Sequence, residues 1–313
     1  MLKGSTKSDL LARAVPARTD APSTIAVWAW QLRVHQYAKN ALVLVPLLTA
    51  HRFDLYSIRH AVVAAVAFSF CASAVYIIND LADLDADRAH LTKRNRPLAS
   101  GAIRPVDGIL AVPALLAAAV GLALSVSLPF LEILLGYLAL STAYTFVLKK
   151  KIMIDVVTLA LLYTIRVWAG TVAIEVTISE WLLAFSLFIF FALALVKRYT
   201  ELTARQDAEL PEDLTSRNYQ YNDLTIMGAL AAASALNAIT IFILYISSDA
   251  VRTLYRHPEF LWLICPILLY WLSRILVLVH RRLMPHDPVI FALTDSVSLA
   301  LFLAMLAVIF VAI

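Results

Sequence analysis

The sequence predicts an all-α, polytopic membrane protein, a bundle of about nine transmembrane helices. Two observations carry this. The 313 residues are 61% hydrophobic and only 15% charged, with a mean hydropathy of +0.80; a soluble domain is nearer half apolar and about a quarter charged. The apolar residues also fall in helix-length runs, and lipid admits only helices or closed barrels as spanning structures.

In chain order, residues 1–23 are rich in Ala, Pro, Ser and charge and lack an apolar core. They read as a disordered cytoplasmic tail rather than a signal peptide, leaving 24–313 as one membrane domain. Thr24–Arg33 carries Trp28 and Trp30, as expected at a membrane interface. The nine apolar runs lie near 36–51, 58–79, 108–127, 130–148, 153–174, 180–196, 226–247, 259–280 and 291–313.

Basic residues order the topology. One set of loops carries Arg88, Lys93, Arg94, Arg96 and Arg104, then Lys149–Lys151, then Lys197, Arg198, Arg205 and Arg217, then Arg281 and Arg282. The opposite loops are short and carry Arg52, Arg59, Arg252 and Arg256. The positive-inside rule places the first set in the cytoplasm and the C-terminus outside. The net charge of +4 follows from these loops and is no nucleic-acid signature. Cys71 and Cys265 sit in apolar runs and imply neither a disulfide framework nor a metal cluster.

The densest block of charge is Asn79–Ser100, NDLADLDADRAHLTKRNRPLAS. Asn79, Asp83 and Asp87 are four apart, and Asp80, Asp83 and Asp87 are three and four apart, so on a helix they share a face. Stacked carboxylates repel unless a cation sits on them. Hard oxygen ligands point to Mg2+, which takes one or two carboxylates together with substrate phosphates. Arg88, Lys93, Arg94 and Arg96 follow and suit the far side of a polyphosphate. The competing reading is a solvated helix end.

Other clusters carry the same two readings. Tyr144–Asp155 holds Lys149–Lys151, a topology anchor unless Tyr144 and one lysine turn inward to a phosphate. Arg166 lies mid-span, where a guanidinium is costly and expects an anionic ligand, an Asp from the acidic loop, or a structural pair with another helix. Lys197, Arg198 and Glu201 close the sixth run; Lys197 and Glu201 form an i,i+4 pair, while Lys197 and Arg198 suit a phosphate. Arg33, His35, Gln36, Lys39 and Asn40 enter the first run, either snorkelling or seating a lipid phosphate. Asp287 and Asp295, in His286–Asp295, are two further acids within reach of the site.

Taken together, Asn79-Asp80-x-x-Asp83-x-x-x-Asp87 followed by Lys93-Arg94-Asn95-Arg96-Pro97 resembles the first signature of the UbiA superfamily of intramembrane prenyltransferases. The resemblance runs from about Gln31 to Ile313 and implies a nine-helix bundle. It is closer to the decaprenyl-phosphate phosphoribosyltransferase branch, through RVHQYAKN, SAVYIINDLADLDADR, TKRNRP, LYTIRVWAG and KRYTEL. Val34 and Tyr37 depart from that branch's usual Pro and Trp. Aromatic prenyltransferases of the superfamily carry a second Asp-x-x-x-Asp motif where this chain has Lys197, Arg198 and Glu201.

The resemblance therefore implies Mg-dependent transfer of 5-phosphoribosyl from phosphoribosyl diphosphate to a polyprenyl monophosphate at a bacterial-type plasma membrane, with the active site facing the cytoplasm. A separate phosphatase would act on the product, in cell-wall biosynthesis. Expected metal residues are Asn79, Asp80, Asp83 and Asp87. Asp80, Asp83, Asp87, Tyr144 and Lys197 form the expected catalytic set. Substrate contacts are expected from Lys39, Asn40, Lys93, Arg94, Arg96, Lys149, Arg166, Lys197, Arg198 and Glu201. The alternatives are prenyl transfer to an aromatic or quinone precursor, and a lipid carrier or transporter without chemistry.

Overall fold

The computed structural model describes residues 23–89, 93–209, 218–284 and 287–313; the 1–22 part of the expected tail, Arg217 and His286 lie outside them. Among the described residues the chain is helical throughout, without strands. It opens with α1 (Thr24–Gln31), whose N-cap Ser23 accepts from the Ala26 amide. The spanning helices are α2 (Leu55–Ala82), α3 (Pro105–Val126), α4 (Leu128–Phe146), α5 (Ile154–Ala173), α6 (Glu180–Asp207), α7 (Asp223–Ile246) and α8 (Ile264–His280), the last preceded by a 3-10 turn over Pro258–Leu263. The chain ends in α9 (Ser296–Ala312).

Local chemistry starts these helices where expected. Asp54, Ser127, Ser179 and Asp295 each turn a side-chain oxygen onto an amide in the first turn of α2, α4, α6 and α9. Pro105, within the first turn of α3, takes a place where no amide hydrogen is needed.

Among the described residues seven helices are long and apolar enough to cross a membrane, or eight if a bent pair near the C-terminus is counted as one span. The expected count of about nine is approximate, and the runs at the two ends depart from a single straight α-helix. The last run is broken: a short helix, Pro288–Thr294, meets α9 at 76°. Asp295 sits at the break with extended backbone, capping α9 while Arg274 grips its carboxylate at 2.7 and 3.0 Å. The first run is not one α-helix either. Arg33 is in the left-handed region (φ 55°), Val34–Leu44 forms a 3-10 helix, and Val45–Thr49 returns to α. At about 2.0 Å per 3-10 residue this lead segment gains length over an α-helix.

The 3-10 period also sorts its side chains. Tyr37, Asn40 and Val43 are three apart and eclipse on one face. Tyr37 reaches Ser73 Oγ at 2.9 Å and Asn40 donates to Ser69 Oγ at 3.0 Å, both serines on α2, while Val43 is fully buried. On α5, Gly170 permits close approach: a Cβ there would lie 2.2 Å from the Val43 carbonyl oxygen and 3.0 Å from the Pro46 ring.

Length positions the site. α2 and α6 each have 28 residues, about 42 Å of helix against a hydrocarbon layer of about 30 Å. Their last turns therefore carry Asn79 and Asp80, and Lys197 onward, to the same end of the bundle. α2 and α5 are central: 61% and 56% of their apolar windows are buried, against 11% for α3.

Gly170→Ala should destabilise the detergent-solubilised protein by about 1–3 kcal/mol, because the Val43 backbone must move. Gly121→Ala and Gly136→Ala, where an added Cβ meets nothing within 4 Å, should leave melting unchanged or slightly raised. Equal melting temperatures for all three variants would contradict this packing.

Candidate active site

The acidic stretch keeps helical backbone through its break. α2 ends at Ala82, and a short helix, Leu84–Ala89, follows Asp83. The Asp83 amide still bonds to Asn79 O at 3.0 Å and the Asp87 amide to Asp83 O at 2.8 Å. The side chains, however, divide. Asp80 and Asp87 are buried, at 3% and 2% exposure. Asp83 is about half exposed and lies 3.6 Å from Lys149 Nζ, which also reaches Asn79 Oδ1 at 3.4 Å.

Cationic side chains answer the repulsion on this face. Arg96 Nη1 donates to Asp80 Oδ1 at 3.0 Å and to Asp87 Oδ2 at 2.6 Å. Arg33 Nη2 adds a 2.7 Å bond to Asp80 Oδ1, and Gln31 Nε2 a 3.0 Å bond to Oδ2. Lys93 Nζ stands 4.0 Å from Asp87. Arg94 makes no ion pair among the described residues, and Asp85 points outward to Arg88. The left-handed backbone at Arg33 is unusual for a residue with a Cβ. It turns the chain from α1 into the lead segment, with the Arg33 guanidinium 4.5 Å over the Tyr76 ring.

A second charged cluster faces the bundle from the other side. Asp287 Oδ2 takes Lys39 Nζ at 2.7 Å and Lys197 Nζ at 3.5 Å. Its Oδ1 accepts from the Val289 and Ile290 amides, starting the short helix 288–294. Burial pushes the Asp287 carboxyl up, but the Lys39 and Lys197 ammonium groups override it and hold it at about 2. Of the two late acids, Asp287 pairs with Lys39 and Lys197, and Asp295 is spent on Arg274.

Arg198 and Tyr144 meet in a closed network. Arg198 grips Asp155 through Nε at 2.5 Å and Nη2 at 3.0 Å, and Nη1 reaches Glu201 at 2.5 Å. Tyr144 donates to Asp155 Oδ1 at 2.8 Å and accepts from Arg198 Nη2 at 2.8 Å. Asp155 is fully buried and Arg198 is 3% exposed. Glu201 thus pairs with Arg198, and the i,i+4 partnership with Lys197 is not the one formed.

Arg166 does meet other segments, but through neutral groups. Its Nε donates to Asn40 Oδ1 at 2.9 Å, Nη1 to Leu162 O at 2.5 Å and Nη2 to the Tyr137 hydroxyl at 2.8 Å. The guanidinium stacks 4.7 Å from the Tyr137 ring. Asn40 is thereby tied to α2 and α5 together.

Between α1, the lead segment and the loop after α2 lies a cavity of about 190 Å³, lined by Gln31, Arg33, Asp80 and Arg96 among others. Among the described residues no three His, Cys, Asp or Glu side chains converge as a metal cage. Asp80 and Asp87 nevertheless converge on one cation position, filled by Arg96 Nη1. Two carboxylates suffice for a divalent ion that takes its remaining ligands from phosphate and water, so the donor set fits such an ion.

Gln31, Tyr76 and Tyr137 carry no charge and have no signal in the sequence, and Arg33 and Asp287 are not among the site residues that the sequence motifs predict. The αL turn that makes Arg33 a partner of Asp80 has no local signal, since neither Gly nor Asn stands there.

Asp155→Asn should cost about 3–5 kcal/mol, because Arg198 keeps a buried charge with its bidentate partner gone; denaturation in detergent reads it. At Asp287 the carboxyl is depressed from its ordinary 3.8 to about 2, so its contribution is present above pH 3.8 and is lost as pH falls through about 2. Asp287→Asn should therefore lower stability equally at pH 5 and pH 8. A gap that closes between those values would contradict the Lys39–Asp287–Lys197 link.

The UbiA prenyltransferase family model matches residues 41–294. The chain is 38% identical over 299 residues to the uncharacterized protein y4nM of Sinorhizobium fredii, covering 93% of this chain and 57% of that one. It is 31% identical over 276 residues to nodulation protein NoeC of Azorhizobium caulinodans, covering 87% and 89%. It is 35% identical over 206 residues to decaprenyl-phosphate phosphoribosyltransferase of Mycobacterium tuberculosis, covering 61% and 65%. The chain thus spans less than two thirds of the first and third of these. Among solved structures it resembles a UbiA homolog from Archaeoglobus fulgidus bound to DMAPP and Mg2+, with TM-score 0.68 at 16% identity over 91% of this chain and 98% of that one. It also resembles digeranylgeranylglyceryl phosphate synthase, with TM-score 0.64 at 16% identity over 92% and 98%. The spanning bundle, the acidic motif at the end of α2 and these matches agree: the chain belongs to the UbiA prenyltransferase family.

Proposed function

We propose that this chain transfers a 5-phosphoribosyl group from phosphoribosyl diphosphate to a polyprenyl monophosphate, releasing diphosphate. The observation that carries the reading is the asymmetry of charge at the site. One acidic face, Asp80 and Asp87, stands with Arg33, Arg96 and Lys93. The end of α6 brings Lys197, paired across Asp287 with Lys39, rather than a second carboxylate pair. Two metal-binding motifs would grip a prenyl diphosphate between them; one acidic face and a set of ammonium groups suit a donor and an acceptor that both carry phosphate. The 35% identity to decaprenyl-phosphate phosphoribosyltransferase supports the same reaction class.

Asp80 and Asp87 would hold a divalent cation, Mg2+ in this reading, which when bound supplies charge neutralisation for the leaving diphosphate. Arg33, Arg96 and Lys93 take the outer oxygens of that diphosphate, and Lys149, on Asn79 and Asp83, closes its far side. Lys39 and Lys197 hold the remaining phosphates, the lipid's and the sugar's. A lipid phosphate oxygen attacks C1 of the ribosyl group; the bond from C1 to diphosphate oxygen breaks, and its electron pair leaves with the diphosphate. The nucleophile is already an anion, so no general base is required, and direct displacement inverts C1. Positioning and fixed charge supply the catalysis.

Tyr144, Arg198 and Glu201 act indirectly: with Asp155 they lock the ends of α4, α5 and α6 so that Lys197 faces the site. Arg166 holds the lead segment, and with it Lys39, through Asn40. The site opens to the cytoplasmic side of a bacterial plasma membrane in this reading, where phosphoribosyl diphosphate is available. A separate phosphatase would consume the phosphorylated product in cell-wall biosynthesis.

The test is a donor comparison with purified protein, Mg2+ and polyprenyl phosphate. Label should move from phosphoribosyl diphosphate into the lipid fraction, and Asp80→Asn should lower kcat/KM by about 10²–10³-fold. Lys197→Ala should raise KM more than it lowers kcat. Label moving only from a prenyl diphosphate to an aromatic acid would overturn the reading, as would Mg-independent activity. The absence of any transfer would favour a lipid carrier.

A further inference from the structure

Gln31 is 1% exposed, and its carboxamide is half used. Nε2 donates to Asp80 Oδ2 at 3.0 Å, while Oε1 is enclosed and has no hydrogen-bond partner. The orientation is not arbitrary. An ionised carboxylate only accepts, so the NH2 must face Asp80 and the carbonyl oxygen must face away. A buried carbonyl without a donor is costly, and in a folded chain it points to a partner that arrives later.

Its surroundings say what kind of partner. Gln31 lines the 190 Å³ cavity with Trp30, Arg33, His35, Gln36 and Arg96. The Arg33 and Arg96 side chains are 24% and 28% exposed, both clamp Asp80, and both line the cavity with Gln31, where they can turn to an arriving diphosphate. Trp30 at the rim is half exposed and offers an apolar face to the carbon side of a sugar ring. A prenyl group carries no O–H or N–H and cannot satisfy Oε1. A pentose attached to the diphosphate can.

We infer that Gln31 reads a ring hydroxyl of the donor sugar, its Oε1 accepting from that hydroxyl while its Nε2 holds Asp80, so that Gln31 sets the preference for a ribosyl over a deoxyribosyl or prenyl donor. The inference rests on the phosphoribosyl reading above and adds the residue that discriminates the donor. A site that hydrogen-bonds a substrate hydroxyl rejects the analogue lacking it, because its own polar group is then left unpaired.

The experiment uses the full chain in lipid nanodiscs with polyprenyl phosphate and Mg2+. It compares kcat/KM for phosphoribosyl diphosphate and its 2-deoxy and 3-deoxy analogues. Wild type should disfavour one analogue by about 10- to 100-fold. Gln31→Met, which keeps length and loses both polar atoms, should bring the ribosyl donor down toward that analogue and collapse the ratio. An unchanged ratio in Gln31→Met, with both donors slowed alike, would mean that Gln31 acts only through Asp80 and would overturn the inference. Equal wild-type rates for all three donors would also overturn it, and that arm needs no variant to fold. If wild type transfers no ribosyl label at all, the reaction reading fails and takes this inference with it; ribosyl transfer without discrimination removes the inference alone.

Discussion

Everything at this end of the molecule depends on how two buried carboxylates find hydrogen-bond partners. Asp80, in the last turn of a 28-residue helix, and Asp87, on the short helix that follows, lie at 3% and 2% exposure. A carboxylate left unpaired there would cost more than folding can spare. Arg96 spans both, Arg33 returns from the lead segment to the first, and Gln31 completes Asp80 from α1. The need to neutralise one motif therefore draws α1, the lead segment and the loop after α2 into a single wall.

The opposite wall obeys the same rule with the signs reversed. Lys39 and Lys197 would repel each other, and Asp287 stands between them. Arg198, buried at the cytoplasm-facing end of α6 in our reading, is matched by Asp155 and Glu201. Arg166 is the exception: deep in the bundle it is held by an amide oxygen, a tyrosine hydroxyl and a backbone carbonyl rather than by an acid. Its charge is dispersed over dipoles and an aromatic face. That makes it an anchor for Asn40 and the lead segment, which must leave the α-helical path to bring Lys39 to the site.

Bundle geometry explains why so many long-range pairs meet at one end. Successive spans cross in opposite directions, so the C-termini of α2, α4, α6 and α8 and the N-termini of α3, α5, α7 and α9 gather on one side. α2 and α6 are longer than the hydrocarbon layer requires. Their extra turns build a polar platform above the apolar bundle, clear of the hydrocarbon layer.

The residues alone determined the class, most boundaries of the spans from α2 to α8, the acidic motif and its basic neighbours, because apolar run length, capping residues and charge spacing are local properties; α6, however, continues to Asp207, well past the apolar run that ends near 196. Sequence could not show that the first run leaves the α-helix at Arg33 or that the last bends 76° at Asp295; both breaks are set by side chains more than twenty residues away or by packing against Gly170. Nor could it separate Asp80 and Asp87 from Asp83, which share one spacing and differ only in what the fold places opposite them. Tertiary structure decided the pairing of charges: a lysine or arginine in the sequence has reach and sign but no direction, and only the packed bundle determines whether it meets an internal carboxylate, as Arg198 and Arg33 do, or makes no ion pair among the described residues, as with Arg94.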